Sequence, residues 1–182
     1  MLRSLLAALL ILPSTGVSAA EYRDRSVPMS VETDLDVKRY MGRWYEIARF
    51  PNRFEKGCQG VTADYALRED GKVRVVNTCR KGAPDGPAEQ ARGVARVAAP
   101  GRLEVTFVPF LSFLPFLWGD YWVLDVTEDY DVAVIGNPDG STGWILARDP
   151  QIDERTFQAA AKVLQKNGYD TSALKRVPQL EE

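Results

Sequence analysis

VTADYALREDGKVRVVNTC, residues 61–79, alternates apolar and polar side chains on either side of a Glu69-Asp70-Gly71 turn. Successive side chains of a strand face opposite sides, and two alternating runs joined by a short glycine-containing loop read as a β-hairpin. Charge fixes the faces. Asp64, Arg68, Lys72 and Arg74 take the water side, which leaves Val61, Ala63, Tyr65 and Leu67 of one run, and Val73, Val75 and Asn77 of the other, pointing inward. A three-residue loop sets Arg68 opposite Lys72 and Tyr65 opposite Val75, so both apolar sets fall on one side.

Outward from this hairpin the pattern repeats at 44–50, 92–97, 103–108, 121–126, 132–135 and 144–148, with turn residues between the runs. An all-β chain of eight antiparallel strands is expected, and consecutive strands leave two open edges unless the first pairs with the last. Closure into an up-and-down barrel removes both edges. One helix follows, at about 153–167: Asp153 is the expected N-cap, Phe157, Ala160, Ala161 and Leu164 line one face, and Gly168 stops it. Its apolar face must pack on the outside of the barrel. A barrel of this size is either filled by side chains or holds one small ligand. The inward Ala63, Asn77, Gly93 and Ala95 are small enough to leave room.

At 182 residues the chain predicts one domain, residues 36–177, preceded by an extension (21–35) and followed by a short tail (178–182). Residues 1–20 read as an export signal: Arg3, an apolar run over 4–12, Pro13, then small residues through Ala20. That run is far shorter than the roughly 20 residues that span a bilayer. The whole sequence holds 23 basic and 25 acidic residues and no histidine. Near-balanced charge leaves no polybasic footprint for nucleic acid. Without histidine there is no Ser-His-Asp or Cys-His catalysis and no histidine-ligated zinc or haem. No catalytic residue, metal ligand or cofactor is assigned, and oligomeric state leaves no signal in the sequence.

Cys58 and Cys79 are expected to join as a disulfide in an exported chain. In an ideal ladder Cys79 faces Val61, three residues from Cys58, so the bond requires the chain to double back at Gly57 or Gly60. Hairpin loops alternate between the two ends of such a barrel. The tight turns at 69–71, 99–101 and 128–131 then mark one rim, and the longer connections at 50–60, 80–89, 109–118 and 137–140 the other, open rim. The open rim carries PFLSFLPFLWGDYW, residues 109–122, too short and too broken by Pro109 and Pro115 to be a membrane helix. Its phenylalanines either fold over the mouth as a lid or form an exposed patch for a membrane or partner.

Apolar cargo is the reading these features favour. The expected ligand wall is Ala63, Tyr65, Val75, Asn77, Phe107, Phe113, Phe116, Trp122 and Leu124. Arg53, Lys56, Arg80 and Lys81 stand at the open rim, either for an anionic head group or as ordinary surface charge. Alternation sets Trp44, Glu46, Ala48 and Phe50 on one side, so Glu46 is inward. An enzyme acting on a lipid or isoprenoid would use it as acid or base; the plainer alternative is a carboxylate held by an arginine or a tyrosine hydroxyl.

YMGRWYEIARF (residues 40–50) resembles the Gly-x-Trp signature of lipocalins. With FEKG (54–57), VTADYAL (61–67), YWVLD (121–125) and WILARDP (144–150), it is similar in particular to the bacterial outer-membrane lipocalins, near the apolipoprotein D branch. The resemblance covers roughly residues 36–177. It implies an eight-stranded barrel in which Gly42 permits the tight start of the first strand, Trp44 plugs the closed end and Arg148 packs across its ring. It also implies binding of fatty acids, lysophospholipids or similar amphiphiles, with no cofactor. Many bacterial members carry a lipid-anchoring cysteine after the signal; no cysteine stands there in this sequence, which predicts a soluble periplasmic form in a Gram-negative envelope.

Overall fold

The computed structural model describes residues 21–180, so the expected export signal and the last two residues of the tail lie outside the described residues. Eight strands form the barrel: β1 (Gly42–Arg49), β2 (Cys58–Leu67), β3 (Val73–Lys81), β4 (Ala88–Ala99), β5 (Arg102–Thr106), β6 (Gly119–Val126), β7 (Val132–Gly136) and β8 (Gly143–Ala147). Each is antiparallel to the next, and β1 pairs with both β2 and β8, which closes the sheet. A two-residue strand, β9 (Lys175–Arg176), pairs with the far end of β1 and was not visible as an alternating run. In the founding hairpin Tyr65 pairs with Val75 and Ala63 with Asn77.

A four-residue helix, α1 (Val37–Tyr40), closes one end; Asp36 caps it by accepting from the Lys38 and Arg39 amides. Its last residue, Tyr40, packs on Trp44, whose indole donates to the Tyr40 carbonyl at 2.9 Å. Arg148 lies 3.8 Å over the Trp44 ring, and its guanidinium donates to the carbonyls of Arg39, Met41 and Arg43 at 2.9, 2.8 and 2.7 Å. One cation thus collects carbonyls that the ladder leaves unpaired and ties α1 to the barrel. Gly42 has φ of +98°, a conformation that disfavours any side chain, and a Cβ there would meet Arg148 at 3.2 Å.

The second helix, α2 (Glu154–Lys166), is capped by Asp153, which accepts from the Thr156 amide at 2.7 Å. It buries Ala160, Ala161 and Leu164 against Ile47, Ala48, Phe50, Leu124, Val132, Val134 and Ile145 on the outer faces of β1, β6, β7 and β8. The segment preceding α1 covers the rest of that surface: Tyr22 stacks on Phe50 at 4.9 Å, Met29 and Val31 join the same cluster, and the Glu32 amide donates to the Val123 carbonyl.

This outer layer overturns two expectations about facing. Alternation sets Ala48 and Phe50 inside with Trp44 and Glu46, but the register shifts between Glu46 and Ala48, and this β-bulge turns the end of the strand outward. Trp122 and Leu124 are expected on the ligand wall. They belong to the outer cluster, and their neighbours Tyr121 and Val123 belong to the inner one. Leu67, expected inward, stands half-exposed at the end of β2.

Cys58 and Cys79 form the disulfide, with Cα atoms 5.1 Å apart. The register of β2 on β3 jumps between Gln59 and Thr62, and Gly60, at φ of +51°, takes up the fold-back that brings Cys58 to its partner. Direct pairing of β1 with β2 stops at Tyr45–Thr62. Beyond it the C-terminal segment bridges the two strands: Val177 donates to Ile47, Gly60 to Pro178, and the Gln179 amide to the carbonyls of Glu46 and Val61.

Candidate functional site

The barrel interior has two tiers. Toward α1, the inward side chains of Trp44, Leu103, Val123, Ala133, Ile135 and Leu146 pack with Tyr40 and Tyr130 into a buried plug. One step toward the other rim stand Tyr65 of β2 and Tyr121 of β6, on strands four apart in a ring of eight and so across the barrel from each other. Their hydroxyls meet at 3.2 Å, and Tyr121 also meets the Tyr40 hydroxyl at 2.8 Å. This crossbar floors the upper tier. Above it the inward positions Asn77, Val105 and Trp144 are only half-buried and Ala91 is exposed, although each belongs to a strand of a closed sheet. Inward positions are partly exposed in the upper half and sealed in the lower, so the barrel has a filled base and a looser upper half, the bowl.

Small residues make the bowl. Asn77 lies between Ala63 of β2 and Ala91 of β4 in register, so its neighbours on that wall end at Cβ. Gly93, opposite Val75, admits the Phe107 ring, which a Cβ there would meet at 3.0 Å. The opposite wall is polar. Glu46 is buried and accepts from Arg49 at 2.6 Å, while Arg49 also donates to the carbonyls of Glu55 and Cys58. Glu55 folds over from the β1–β2 loop, where Asn52 and the Trp144 indole, at 3.1 Å, both donate to its carboxylate. Trp144 stacks toward Tyr121, with centroids 6.5 Å apart.

Burial and, second to it, the neighbouring Glu55 push the Glu46 carboxyl well above the ordinary range. Burial raises Tyr65 to about 12 and lifts Tyr40 and Tyr121 well above their usual values, so the crossbar hydroxyls stay protonated at any physiological pH. Glu46 is held by Arg49, the partner that one of the two readings of the sequence expects. Among the described residues no three acidic or cysteine side chains gather as a metal site.

The structure brings Ala63, Tyr65, Val75 and Asn77 together on the inner wall and sets Phe107 at its upper edge, 44% exposed. It does not bring in the others. Trp122 and Leu124 line the outside, where Arg102 covers Trp122 at 4.4 Å. Phe113 and Phe116 stand in solvent, 75% and 76% exposed, with Phe110 at 77%. They form no lid. Pro109–Leu111 and Pro115–Leu117 are two short 3-10 turns, and a turn of three residues directs every third side chain the same way, here outward. Tyr121, Trp144, Glu55 and Ala91 were missed. Asp120 shares the face of Trp122, a polar cue that this side of β6 points out and Tyr121 in.

A closed eight-stranded antiparallel barrel with a tryptophan plug at one end, an accessible bowl at the other and a helix on its flank defines a class of small-molecule binding proteins. Residues 35–179 match the family of the lipocalin-like domain, and the chain belongs to the lipocalin family, whose members bind small hydrophobic ligands. Among its relatives, temperature-induced lipocalin-1 of Arabidopsis thaliana is 41% identical over 158 residues, 83% of either chain. Outer membrane lipoprotein Blc of Escherichia coli K12 is 41% identical over 148 residues, 79% of either chain, and apolipoprotein D of Mus musculus is 34% identical over 160 residues, 82% of this chain and 79% of that one. Insecticyanin from the tobacco hornworm shares the fold at TM-score 0.64 and 20% identity, over 85% of this chain and 86% of that one.

Proposed function

We propose that this lipocalin is an exported, non-catalytic carrier that holds one small apolar or amphiphilic molecule, of the fatty acid or lysophospholipid kind, in the bowl above the Tyr65–Tyr121 crossbar. The two-tier interior carries this reading: side chains of a closed barrel are open to solvent above the crossbar and sealed below it. Burying a methylene gains about 0.8 kcal/mol, so about ten buried methylenes match micromolar binding. An envelope location is supported by the export-signal pattern of residues 1–20 and by a bacterial relative named as an outer-membrane lipoprotein. Both cysteines of the sequence are spent on one disulfide, which supports a periplasmic form without a thioether-linked lipid. No helix among the described residues is long and apolar enough to cross a membrane.

Native mass spectrometry of the protein mixed with hexadecanoic acid or a lysophospholipid tests the reading. One adduct per chain at near-stoichiometric ligand is expected; bare protein throughout removes the carrier function. A second reading, peripheral contact of the 109–118 loop with a membrane, is favoured by three phenylalanines each about three-quarters exposed on one rim.

A further inference from the structure

We infer that two copies of this chain pair edge to edge through the upper half of β4, residues 88–92, as an antiparallel ribbon whose two-fold axis passes at Gln90. The inference goes beyond the carrier reading and stands or falls apart from it. A gap in the ladder carries it. β4 pairs with β3 along 88–95, but β5 lies opposite it only from the Val94–Thr106 pair downward. Above that pair the chain leaves the sheet for the 109–118 loop and β4 runs on alone, with residues 88–92 all exposed. In an antiparallel strand every second residue directs both its N–H and its C=O to the same edge. Among the described residues no backbone pairs with the outer edge of 88–92, so its groups form a template for one further strand.

The side chains of the run suit a second copy of itself. Directly opposed residues of an antiparallel pair lie on the same face, so a two-fold ribbon sets one residue against its own copy. The centre of 88–92 is Gln90, the only uncharged polar side chain of the five. A charge there would meet its like. The Gln90 amide gives one proton to Thr78 at 3.3 Å and accepts one from Arg92 at 2.8 Å, which leaves it one donor and one acceptor site to exchange with its twin. In the same register Arg92 falls opposite Ala88 of the partner subunit and Glu89 opposite Ala91 of the partner subunit, so each charge faces a methyl group and neither faces its like. Glu89 is moreover met within the chain by Lys81 at 3.3 Å. Ala88 lies at the open rim, so antiparallel pairing points the two bowls in opposite directions.

Sedimentation velocity of the full protein over a concentration series tests the pairing. A monomer–dimer equilibrium is expected below about 1 mM, as befits a small interface. Gln90→Lys and Gln90→Glu each set like charges against each other on the axis, and each is expected to weaken dimerisation about tenfold or more. Position 90 is exposed, so neither change touches the core. Equal amounts of the two variants, mixed, bring opposite charges together on the axis and are expected to restore the dimer. A chain that stays monomeric up to about 1 mM overturns the inference. So does a dimer that both variants form as well as the parent, which would put the interface elsewhere, the exposed phenylalanines of the 109–118 loop included. Loss in both variants without recovery on mixing removes the axis at Gln90 and the inference with it.

Discussion

The hydroxyls of Tyr65 and Tyr121 meet at 3.2 Å from opposite sides of the barrel, and this single contact divides a sealed plug from an accessible bowl. Phenols suit the position because each offers an apolar ring to the packed side and a hydrogen-bonding tip to the other. A leucine pair would floor the same space but leave Tyr40 without its hydroxyl partner.

Removing the closing cation is expected to cost stability without touching the bowl. Arg148→Met loses the contact over Trp44 and four hydrogen bonds to carbonyls, and a loss of about 2–4 kcal/mol is predicted. Trp44→Ala, at a fully buried position, is predicted to cost about 3–5 kcal/mol. Urea denaturation of the variants measures both losses.

The disulfide spans 21 residues of sequence, for which chain entropy gives about 3 kcal/mol. The double variant Cys58→Ser, Cys79→Ser is predicted to lose that much. A reductant should lower the denaturation midpoint of the parent to that of the variant and leave the variant unchanged.

Stability should fall as pH rises through the titration of Glu46. Its folded carboxyl holds its proton above the ordinary 4.5, so the folded state binds the proton more tightly than the unfolded chain. The resulting stabilisation is complete below 4.5 and is lost as pH passes upward through the raised value. Glu46→Gln is predicted to flatten this slope. Urea midpoints from about pH 4 to about pH 8 read the difference between the two chains.

Replacing Phe110, Phe113 and Phe116 together by serine removes exposed rings that the fold does not use, so stability is predicted to change by less than about 0.5 kcal/mol. Co-sedimentation with liposomes should drop in the triple variant if the loop touches membranes. Unchanged co-sedimentation would remove that reading.

Legibility in the sequence followed how many faces of each strand are apolar. The 61–79 hairpin has one charged side, so its pairing and the inward set of Ala63, Tyr65 and Val75 could be read directly. In β6, Tyr121, Trp122, Val123 and Leu124 are apolar or aromatic in succession, because one face meets the plug and the other lies under α2 and the N-terminal segment. Alternation has nothing to separate there. In β1 the period itself breaks, since a bulge adds one residue between Glu46 and Ala48 and no side chain announces it. Glu55 reaches the site from a loop, where neither strand nor helix periodicity applies. The Gly60 fold-back was legible because a disulfide was required across a register that would not otherwise allow one.

The carrier reading requires the space above the tyrosine crossbar to be empty and open to an acyl chain. Trp144 stands above the crossbar, so in a chain with Trp118 and Trp122 replaced by phenylalanine its emission reports on filling over a constant background from Trp44, which is sealed in the plug. Titration with dodecanol should give a saturable change at one ligand per chain, and Ala63→Phe, which fills the wall beside Asn77, should abolish it. A signal that never saturates, or one that persists unchanged in Ala63→Phe, would mean that no ligand enters above the crossbar.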